Sequence, residues 1–372
     1  MKITIIAGAR PNFMKIAPII DAIEHRRQQG YAISYRLVHT GQHYDANMSQ
    51  SFFEQLGIPE PHVNLEAGGG SQAEQTAGIM VRFEKDLAAH PCDLVLVVGD
   101  VTSTLACSIV AKKMKIKVAH VEAGIRSGDQ HMPEEINRMV TDAITDYFFT
   151  TSEIANGQLR REGKTAEQLF FVGNTMIDTL LKHRHRFHAP AVWQEAGLQP
   201  QQYLVMTLHR PANVDEEAHL GLLISEIMRN NHDLPVIFPV HPRTAKQLER
   251  IAVAHPRLHL TPPMSYLEFN YLVERAKAVI TDSGGITEET TVMGVPCMTL
   301  RDSTERPETC TIGTNVLLGT DPAALGPAME QLFAGNWKKG DIPPLWDGHA
   351  AERITDCFVK LFKLEHQSAS VA

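Results

Sequence analysis

This chain of 372 residues has few cysteines and few aromatic residues, and it contains no long hydrophobic run. Its five cysteines form no CxxC pair, which predicts reduced thiols in a cytoplasmic protein rather than disulfides or a zinc site. No apolar segment approaches the ~20 residues of a membrane span, and the apolar run at the N-terminus is too short for a signal peptide. The patterns GxGxxG, HExxH and G-x-S-x-G are also missing. We therefore expect no dinucleotide cofactor, no metal and no serine nucleophile.

An excess of basic charge is missing as well. The net charge of −8 argues against a general surface for nucleic acid or acidic membranes. Any anionic ligand must therefore meet local positive groups. At this length two domains of about 150 to 200 residues are expected, because a single hydrophobic core rarely keeps growing beyond that range.

Short apolar runs alternate with longer segments of helical spacing through most of the chain. Runs that are apolar on both faces are typical of buried parallel strands, so the alternation predicts an α/β protein with two Rossmann-like, doubly wound domains. The predicted strands are KITIIAG, ISYRLVHT, DLVLVVGD, KVAHVEA, YFFTTS and LFFVGN in the first half, and YLVMTL, PVIFPV, RLHLTPP, AVITDS, PCMTLR and NVLLGT in the second. The predicted helices include 72–89, 103–113, 134–144, 215–230, 244–254, 286–293 and 322–335.

The division between the domains is predicted in the polar, histidine-rich segment that follows the first six strands. We assign residues 1–175 to the first domain and residues 176–346 to the second. Residues 347–366 are predicted to form a final helix that packs back on the first domain, and residues 367–372 a tail.

Polar residues follow many of the predicted strands. In open α/β sheets the ligand lies beyond the carboxyl ends of the strands, so these residues are the candidates for a site, which we expect in the cleft between the domains. The candidates are Arg10, His43, Asp100, Glu122, His209, His241, Ser283, Gly284, Gly285 and Arg301.

The stretch TDSGGITEE, residues 281–289, indicates a phosphate site. Glycines between a strand and a helix let the backbone approach a ligand, and the first N–H groups of the helix point at an anion. Glu288 and Glu289, placed in the first helical turn, would repel a phosphate unless one of them faces a sugar hydroxyl. The combination favours a nucleotide, and Arg10 with Lys15 could neutralise its diphosphate; the alternative is that Arg10 is a surface residue on the loop after the strand.

Several carboxylates are candidates for acid–base chemistry. Asp100 either acts as an acid or caps the helix that opens at 101–103. Glu122 lies between strand residues and a glycine, and the expected desolvation suits it to proton transfer. Glu134 and Glu135 come in the first turn of a helix, where one of them is expected to be structural. Glu134 also lies four residues before Arg138 and could pair with it.

His209 follows the first strand of the second half. A histidine there can donate a proton to a departing phosphate or stabilise its charge, and the alternative is a structural histidine.

In this order, GARPNFMKIAP, VVGDVTSTLA, AHVEAGIRSGD, PEEINR, FVGNTMIDTL, LHRPAN, FPVHPR, TDSGGITEE and LRDSTERPE resemble segments of the non-hydrolysing UDP-N-acetylglucosamine 2-epimerases. The resemblance implies the GT-B fold, in which two Rossmann-like domains surround a cleft, and a homodimer that makes precursors for cell-surface polysaccharide. It also implies anti elimination of UDP to give 2-acetamidoglucal, followed by re-addition of UDP, with no cofactor.

The resemblance also implies roles for individual residues. Asp100, Glu122 and Glu134 would be the catalytic acids, with His209 assisting at the UDP side; which acid removes the C2 proton and which returns it stays open. The substrate-binding residues would be Arg10, Lys15 and Arg138 for phosphate or for orienting the acids, Ser283, Gly284 and Gly285 for the diphosphate, Glu289 for the ribose, and His43 and His241.

Three segments depart from the pattern of many bacterial members, namely GARPNFMK, GQHYD and HRPAN. The last two replace residues that help to bind an activating second UDP-N-acetylglucosamine, so the departures argue against allosteric activation. GQHYD resembles members that act on other sugars, such as UDP-2,3-diacetamido-glucuronate, which is our alternative substrate. A glycosyltransferase, a hydrolysing epimerase and a nucleotide-sugar-binding regulator without turnover are the other hypotheses.

Overall fold

A computed structural model describes residues 1–41, 53, 55–240, 242–251 and 255–366, and the backbone alone of residues 10, 242 and 243. The predicted site residues His43 and His241 therefore lie outside the described residues, as does the side chain of Arg10. The contacts group the chain into two compact units. Unit 1 is Met1–Lys182 together with Pro344–Ala372, and unit 2 is His183–Pro343.

Unit 1 contains a parallel sheet of seven strands in the order β3-β2-β1-β4-β5-β6-β7. The central strand β4 consists of five buried apolar residues, which is why it is covered on both faces. The order reverses between β1 and β4. The strands are β1 (Lys2–Ala7), β2 (Ser34–His39), β3 (Val63–Asn64), β4 (Leu94–Val98), β5 (Lys117–Val121), β6 (Tyr147–Thr150) and β7 (Leu169–Phe171).

Helices connect these strands in the manner of βαβ units. The helix Gln72–Ala89 begins with a capping box. The side chain of Ser71 accepts a hydrogen bond from the N–H of Glu74, and the side chain of Glu74 accepts one from the N–H of Ser71. The helices are α1 (Arg10–Gln28), α2 (Gln72–Ala89), α3 (Thr102–Lys113), α4 (Pro133–Ile144), α5 (Glu153–Arg161) and α6 (Thr175–His183).

Unit 2 repeats the scheme with a parallel sheet of six strands in the order β10-β9-β8-β11-β12-β13. Its order reverses between β8 and β11. The strands are β8 (Leu204–Thr207), β9 (Val236–Pro239), β10 (Leu258–Thr261), β11 (Ala278–Thr281), β12 (Cys297–Thr299) and β13 (Asn315–Leu317). The helices are α7 (Ala191–Glu195), α8 (Pro211–Val214), α9 (Glu217–Arg229), α10 (Pro242–Arg250), α11 (Tyr266–Arg275), α12 (Gly284–Met293), α13 (Pro307–Thr311) and α14 (Leu325–Phe333).

The predicted α/β class and the two doubly wound sheets are confirmed. The sequence did not predict β3, which is only two residues long, or the helices α5, α7, α8, α11 and α13. The predicted helix 215–230 corresponds to α9, Glu217–Arg229. The structure also corrects the position of Glu288 and Glu289: because α12 begins at Gly284, these residues lie in its second turn rather than in its first.

The last helix, α15 (Ala350–Leu361), belongs to unit 1 and contacts α1. Asp178 of α6 accepts the first N–H groups of α15, from Ala350 at 3.1 Å and from Ala351 at 2.7 Å. The predicted boundary at 175 differs from the observed one, because α6 packs on α1 through a hydrogen bond from Thr179 to the carbonyl of Met14. No helix in the described part of the chain is long and apolar enough to cross a bilayer.

Candidate functional site

Asn12 joins the ends of the two strands at the switch point of unit 1. Its side-chain oxygen accepts hydrogen bonds from the N–H groups of Gly8 and Ala9, each at 3.0 Å, and its amide donates to the carbonyl of Val98 at 3.1 Å. Ligands of open α/β sheets bind where the strand order reverses, which here is between β1 and β4. The loop that opens α1 and carries Arg10 is therefore fixed against the end of β4.

Glu122 follows β5 and is buried, with 1% of its surface exposed. Its φ of 68° lies in the left-handed region, which a residue with a side chain seldom adopts. The carboxylate accepts a hydrogen bond from Lys15, with Nζ 2.5 Å from Oε2. The same oxygen would lie 3.6 Å from a Cβ built on Gly99, so the carboxylate packs on the residue before Asp100. Backbone strain of this kind is common at functional sites.

Asp100 is held by the buried guanidinium of Arg138, which is 2% exposed. Nε and Nη2 of Arg138 donate to Oδ2 of Asp100 at 3.0 Å and 2.6 Å, and the amide of Asn137 donates to its backbone carbonyl at 2.8 Å. The alternative role of Asp100 as a helix cap is wrong, because α3 starts after Val101 without a side-chain cap among the described residues. Arg138 therefore orients a carboxylate that keeps 25% of its side-chain surface exposed.

The two acids that open α4 differ in their surroundings. Glu135 is buried and accepts hydrogen bonds from the N–H groups of Ser127 and Gly128 at 3.0 Å and from Arg138 at 2.6 Å. Burial would raise the pKa of Glu135, but these hydrogen bonds outweigh it and lower the pKa below its ordinary value. Glu134 is exposed. Glu135 is thus the structural acid, and Arg138 donates to Glu135 and Asp100 rather than to the predicted partner Glu134.

Asp282, which is fully buried, follows β11 and connects it to the segment that follows β8. Its carboxylate accepts from the N–H groups of His209 and Arg210 at 3.0 Å and 2.9 Å, and from the amide of Asn213 at 3.1 Å. Nδ1 of His209 lies 2.7 Å from Oδ1 of Asp282. Burial would raise the pKa of Asp282, but the hydrogen bond from His209 and the other donors lower it below its ordinary value.

The contact with Asp282 fixes the ring of His209. Since an ionised carboxylate only accepts hydrogen bonds, Nδ1 carries a proton, and Nε2 is the nitrogen left to meet a ligand. The side chain of His209 is 55% exposed. His209 therefore combines a fixed orientation with an accessible nitrogen, in the arrangement that general acid–base histidines use.

The N-terminus of α12 follows β11 at the switch point of unit 2. Ser283 is its N-cap residue, and no side chain among the described residues caps the helix, so its first N–H groups can meet an anion. A Cβ on Gly284 would lie 2.7 Å from Oε1 of Glu305 and 3.5 Å from Nη1 of Arg301. Arg301, which is 4% exposed, donates to Glu305 at 2.6 Å. The helix start thus has room for backbone only, and it lies next to a buried guanidinium.

Glu288 and Glu289 are both buried, with 1% and 4% of their surfaces exposed, but they have different partners. Glu288 accepts a hydrogen bond from the guanidinium of Arg306. Glu289 accepts from the hydroxyl of Tyr266 at 2.8 Å. Burial, only partly offset by the Tyr266 hydrogen bond, raises the pKa of Glu289 to about 7.

The sequence did not predict the roles of Asp282 and Asn12 or the contact between Lys15 and Glu122. Asp282 lies inside TDSGG, and a carboxylate at the end of a strand was the available signal. Asn12 and Lys15 follow β1 within one helical turn of each other, but their partners are 86 and 107 residues away in the chain. Among the described residues no three His, Cys, Asp or Glu side chains form a group that could hold a metal.

The chain is similar in sequence and in structure to known proteins. The profile of the family described as UDP-N-acetylglucosamine 2-epimerase matches residues 25–359. A UDP-N-acetylglucosamine 2-epimerase of Methanocaldococcus jannaschii is 40% identical over 95% of this chain and 98% of its own. A UDP-2,3-diacetamido-2,3-dideoxy-D-glucuronate 2-epimerase of Pseudomonas aeruginosa is 37% identical over 97% of this chain and all (100%) of its own. The crystal structure of the M. jannaschii enzyme with UDP-GlcNAc and UDP has a TM-score of 0.86 and 39% identity, and the match covers 97% of this chain and 100% of that one.

Proposed function

Because this chain belongs to the UDP-N-acetylglucosamine 2-epimerase family and is thus an isomerase of UDP-sugars, we propose that it interconverts UDP-GlcNAc and UDP-ManNAc without releasing the sugar to water. The observation that carries the proposal is the buried Glu122 in its left-handed turn, paired with Lys15 and packed on Gly99, the residue before Asp100. Carboxylates in contrasting environments are what proton transfer at a carbon needs, because each can then serve a different step.

The proposed reaction is an anti elimination followed by re-addition. The anomeric C–O bond breaks and its electron pair leaves with UDP, while a carboxylate takes the C2 proton and the C1–C2 double bond of 2-acetamidoglucal forms. A second acid then returns a proton to C2 from the other face, and a phosphate oxygen of UDP attacks C1. The C2 hydrogen is barely acidic, so cleavage of the C–O bond leads and nearby carboxylates stabilise the positive charge that develops.

Glu122, Asp100 and Glu134 are the proposed acids. Lys15 and Arg138 hold the first two and set the direction in which each carboxylate points. Arg10, whose side chain lies outside the described residues, remains a proposed substrate-binding residue.

Unit 2 is proposed to bind the UDP part. The first N–H groups of α12, at Gly284 and Gly285, and the hydroxyl of Ser283 receive the diphosphate, because a helix N-terminus favours negative charge. The N–H of Ser283 itself donates to Oγ1 of Thr281 at 3.0 Å. His209, fixed by Asp282, donates from Nε2 to the departing diphosphate. Glu289 is assigned to the ribose hydroxyls. His43 and His241, outside the described residues, remain proposed substrate-binding residues.

Proton NMR of the protein with UDP-GlcNAc in D₂O tests the reaction. We expect deuterium at C2 of both epimers while the amount of UDP-sugar stays constant, because a reversible elimination passes the C2 proton to a group that exchanges with solvent. Free UDP accumulating with free sugar would instead identify a hydrolysing enzyme. Intact, unexchanged UDP-GlcNAc would contradict the proposed substrate.

UDP-2,3-diacetamido-glucuronate is the second candidate substrate. The relative from P. aeruginosa, similar to this chain over its full length, is named for that sugar, and GQHYD resembles such members. The same NMR measurement with both sugars decides between them through the ratio of kcat/KM.

We also propose that the protein is a homodimer, and α4 supports this. The helix buries polar residues, namely Glu135, Asn137, Arg138, Thr141 and Asp142. Its opposite face exposes Ile136, Met139 and Val140 by 43%, 40% and 37%. A helix with its apolar face outward indicates that another protein surface covers that face.

Met139→Glu is expected to convert the dimer into a monomer. A charge in an isologous interface enters twice, so we expect the dissociation constant to rise roughly 100-fold. Analytical ultracentrifugation over a range of concentrations measures this. Leu222→Glu is the control, because Leu222 is also an exposed apolar residue on a helix, α9, at 58% exposure. A monomeric wild-type protein, or an unchanged dissociation constant in Met139→Glu, would contradict the assignment of α4.

A further inference from the structure

The imidazole of His120 is completely buried between two hydrogen-bond acceptors. Its Nδ1 lies 2.7 Å from Oδ1 of Asp142, and its Nε2 lies 2.8 Å from the backbone carbonyl of Gly99. Both side chains have 0% exposure. A carbonyl and an ionised carboxylate can only accept, so the geometry has Nε2 donating to Gly99 and Nδ1 donating to Asp142. A buried charge of this kind is costly unless it is paired and hydrogen-bonded.

Asp142 makes the pair part of a larger network. Its second oxygen, Oδ2, accepts the N–H of Gly124 at 3.0 Å and Nη1 of Arg126 at 2.7 Å. Burial would raise the pKa of Asp142, but the positive charges of His120 and Arg126 lower it below its ordinary value. Arg126 in turn donates to Glu162 at 2.8 Å. The charges alternate along the network, so Asp142 stays ionised inside the unit.

The network holds the chain on both sides of Glu122. Gly124 comes two residues after Glu122 and donates its N–H to Asp142. His120 comes two residues before Glu122 and is tied to Asp142 and to the carbonyl of Gly99, on which a Cβ would lie 3.6 Å from the Glu122 carboxylate. The N–H groups of Glu122 and Ala123 both donate to the carbonyl of Phe149, at 3.0 Å and 3.2 Å. A left-handed non-glycine residue is strained and persists only where its surroundings fix it.

The same network reaches Asp100. Gly99, whose carbonyl His120 holds, directly precedes Asp100, and Gly99 has a φ of 68°. Arg138 and Asp142 are four residues apart on the buried face of α4, so one helix face carries the partner of Asp100 and the partner of His120.

We propose that His120 and Asp142 are positioning residues for the epimerisation: they hold the backbone at Gly99 and Gly124 so that the carboxylates of Asp100 and Glu122 point at the sugar. This inference rests on the proposed function. Neither residue touches the substrate. A pair kept only for stability is a poor explanation, because well-packed apolar residues often replace buried ion pairs at no cost in stability.

The chain offers a matched control in Asp146, one turn further along. Its Oδ2 accepts the N–H of Val118 at 2.9 Å and Nζ of Lys112 at 2.8 Å, so it too binds β5 and a cation. Asp146 directly precedes β6 and therefore lies at the amino ends of the parallel strands, whereas Asp100 and Glu122 lie at their carboxyl ends. Replacing either aspartate removes hydrogen bonds to a backbone N–H and to a cation, but only the contacts of Asp142 lead to the residues next to Asp100 and Glu122.

The test compares Asp142→Asn with Asp146→Asn in the epimerisation assay. We expect kcat to fall about 30- to 100-fold in Asp142→Asn with KM within about threefold, because orientation of the acids changes and substrate binding does not. Asp146→Asn is expected to lower Tm comparably and to keep kcat within about threefold. Equal kcat values in the two variants would overturn the proposal.

A double-mutant cycle with Glu122→Gln shows whether Asp142 acts through Glu122. We expect Asp142→Asn to lower kcat at most about tenfold further in the Glu122→Gln background, because only Asp100 is then left to be positioned. Two independent, multiplicative losses would contradict this. If Asp142→Asn does not fold, His120→Gln replaces it, since the single amide nitrogen of glutamine cannot take the places of the two ring nitrogens that contact Gly99 and Asp142.

A crystal structure of Asp142→Asn, or of His120→Gln if that variant replaces it, gives a readout that does not depend on activity. We expect Glu122 to leave the left-handed region and to lose its contact with Lys15. An unchanged φ at Glu122 together with an intact contact would refute the positioning role, even if the wild-type protein turned over neither UDP-sugar. Absence of turnover by the wild type alone would instead refute the proposed function.

Discussion

Replacing Glu122 by glutamine is expected to lower kcat for epimerisation about 1000-fold. A glutamine side chain cannot take up a proton, and general acid–base groups contribute roughly 10²- to 10⁴-fold to the rates of enzyme reactions. The change also leaves the ammonium of Lys15, whose side chain is 12% exposed, without the carboxylate it now contacts. Release of C2 hydrogen into D₂O, followed by NMR, measures the loss directly.

Binding of UDP separates this catalytic effect from a general loss of structure. Glu122 belongs to unit 1, whereas the proposed UDP-binding residues belong to unit 2, so the dissociation constant for UDP should stay within about twofold of the wild-type value. Asp86→Asn is the matched control, because Asp86 is a 10%-exposed carboxylate that pairs with Arg36 at 2.6 Å on α2 and β2. An exchange rate in Glu122→Gln within threefold of wild type would refute its role as an acid.

The alternation of apolar runs and helical segments was enough to predict the fold class. Long buried strands such as β4 carry a strong signal, because all five of their residues are apolar. The missed element β3 has two residues and no pattern to detect. The missed helix α11 has aromatic and β-branched residues in YLEFNYLVER, which weaken helix propensity, and its capping box at Ser265 and Glu268 was the overlooked signal.

The candidate site was predicted in part for a similar physical reason. The rule that ligands lie at the carboxyl ends of strands selects a position along the chain, so it found Asp100, Glu122, His209 and Ser283. It does not say which side chains meet across the sheet. The partners of Glu122 and His209 come from other strand ends, and only the folded structure brings Lys15 and Asp282 to them.

Glu288 and Glu289 illustrate the same limit. In sequence they are equivalent neighbours, and both were predicted in the first turn of a helix. The structure places both in the second turn, where the 100° rotation between successive helical residues gives them different surroundings. One carboxylate meets the guanidinium of Arg306 and the other meets the hydroxyl of Tyr266.

Glu288→Gln and Glu289→Gln are therefore expected to change stability in opposite directions at pH 8. Removing Glu288 leaves the buried guanidinium of Arg306 without that carboxylate, and breaking a buried ion pair costs about 3 kcal/mol or more. We expect a cost at the lower end of this range, because Glu308 is a second carboxyl group close to Arg306. Burial raises the pKa of Glu308 to about 7, and the positive charge of Arg306 acts in the opposite direction. Urea denaturation curves at pH 8 give the free energies of unfolding.

Glu289 carries a pH dependence whose sign follows from its pKa. Burial raises the pKa from the ordinary 4.5 to about 7, so the folded chain binds this proton more tightly than the unfolded chain does. The free energy of unfolding therefore falls as the pH rises from below 4.5 to above 7, by about 3 kcal/mol through this one group. Glutamine stays neutral at every pH, so Glu289→Gln should be more stable than wild type at pH 8 and should lose this part of the decline between pH 5 and pH 8.

The two variants also separate stability from binding. If Glu289 receives the ribose hydroxyls, the more stable variant Glu289→Gln should bind UDP at least tenfold more weakly, since a hydrogen bond to a charged group contributes about 1.5 kcal/mol or more. Glu288→Gln, although less stable, should bind UDP within about threefold of wild type wherever it is folded, because its carboxylate is engaged by Arg306. The reverse pattern, with binding lost only in Glu288→Gln, would assign the ribose to Glu288. Equal binding in both variants would remove the pair from the nucleotide site and leave the N-terminus of α12 as the part of TDSGGITEE that meets the ligand.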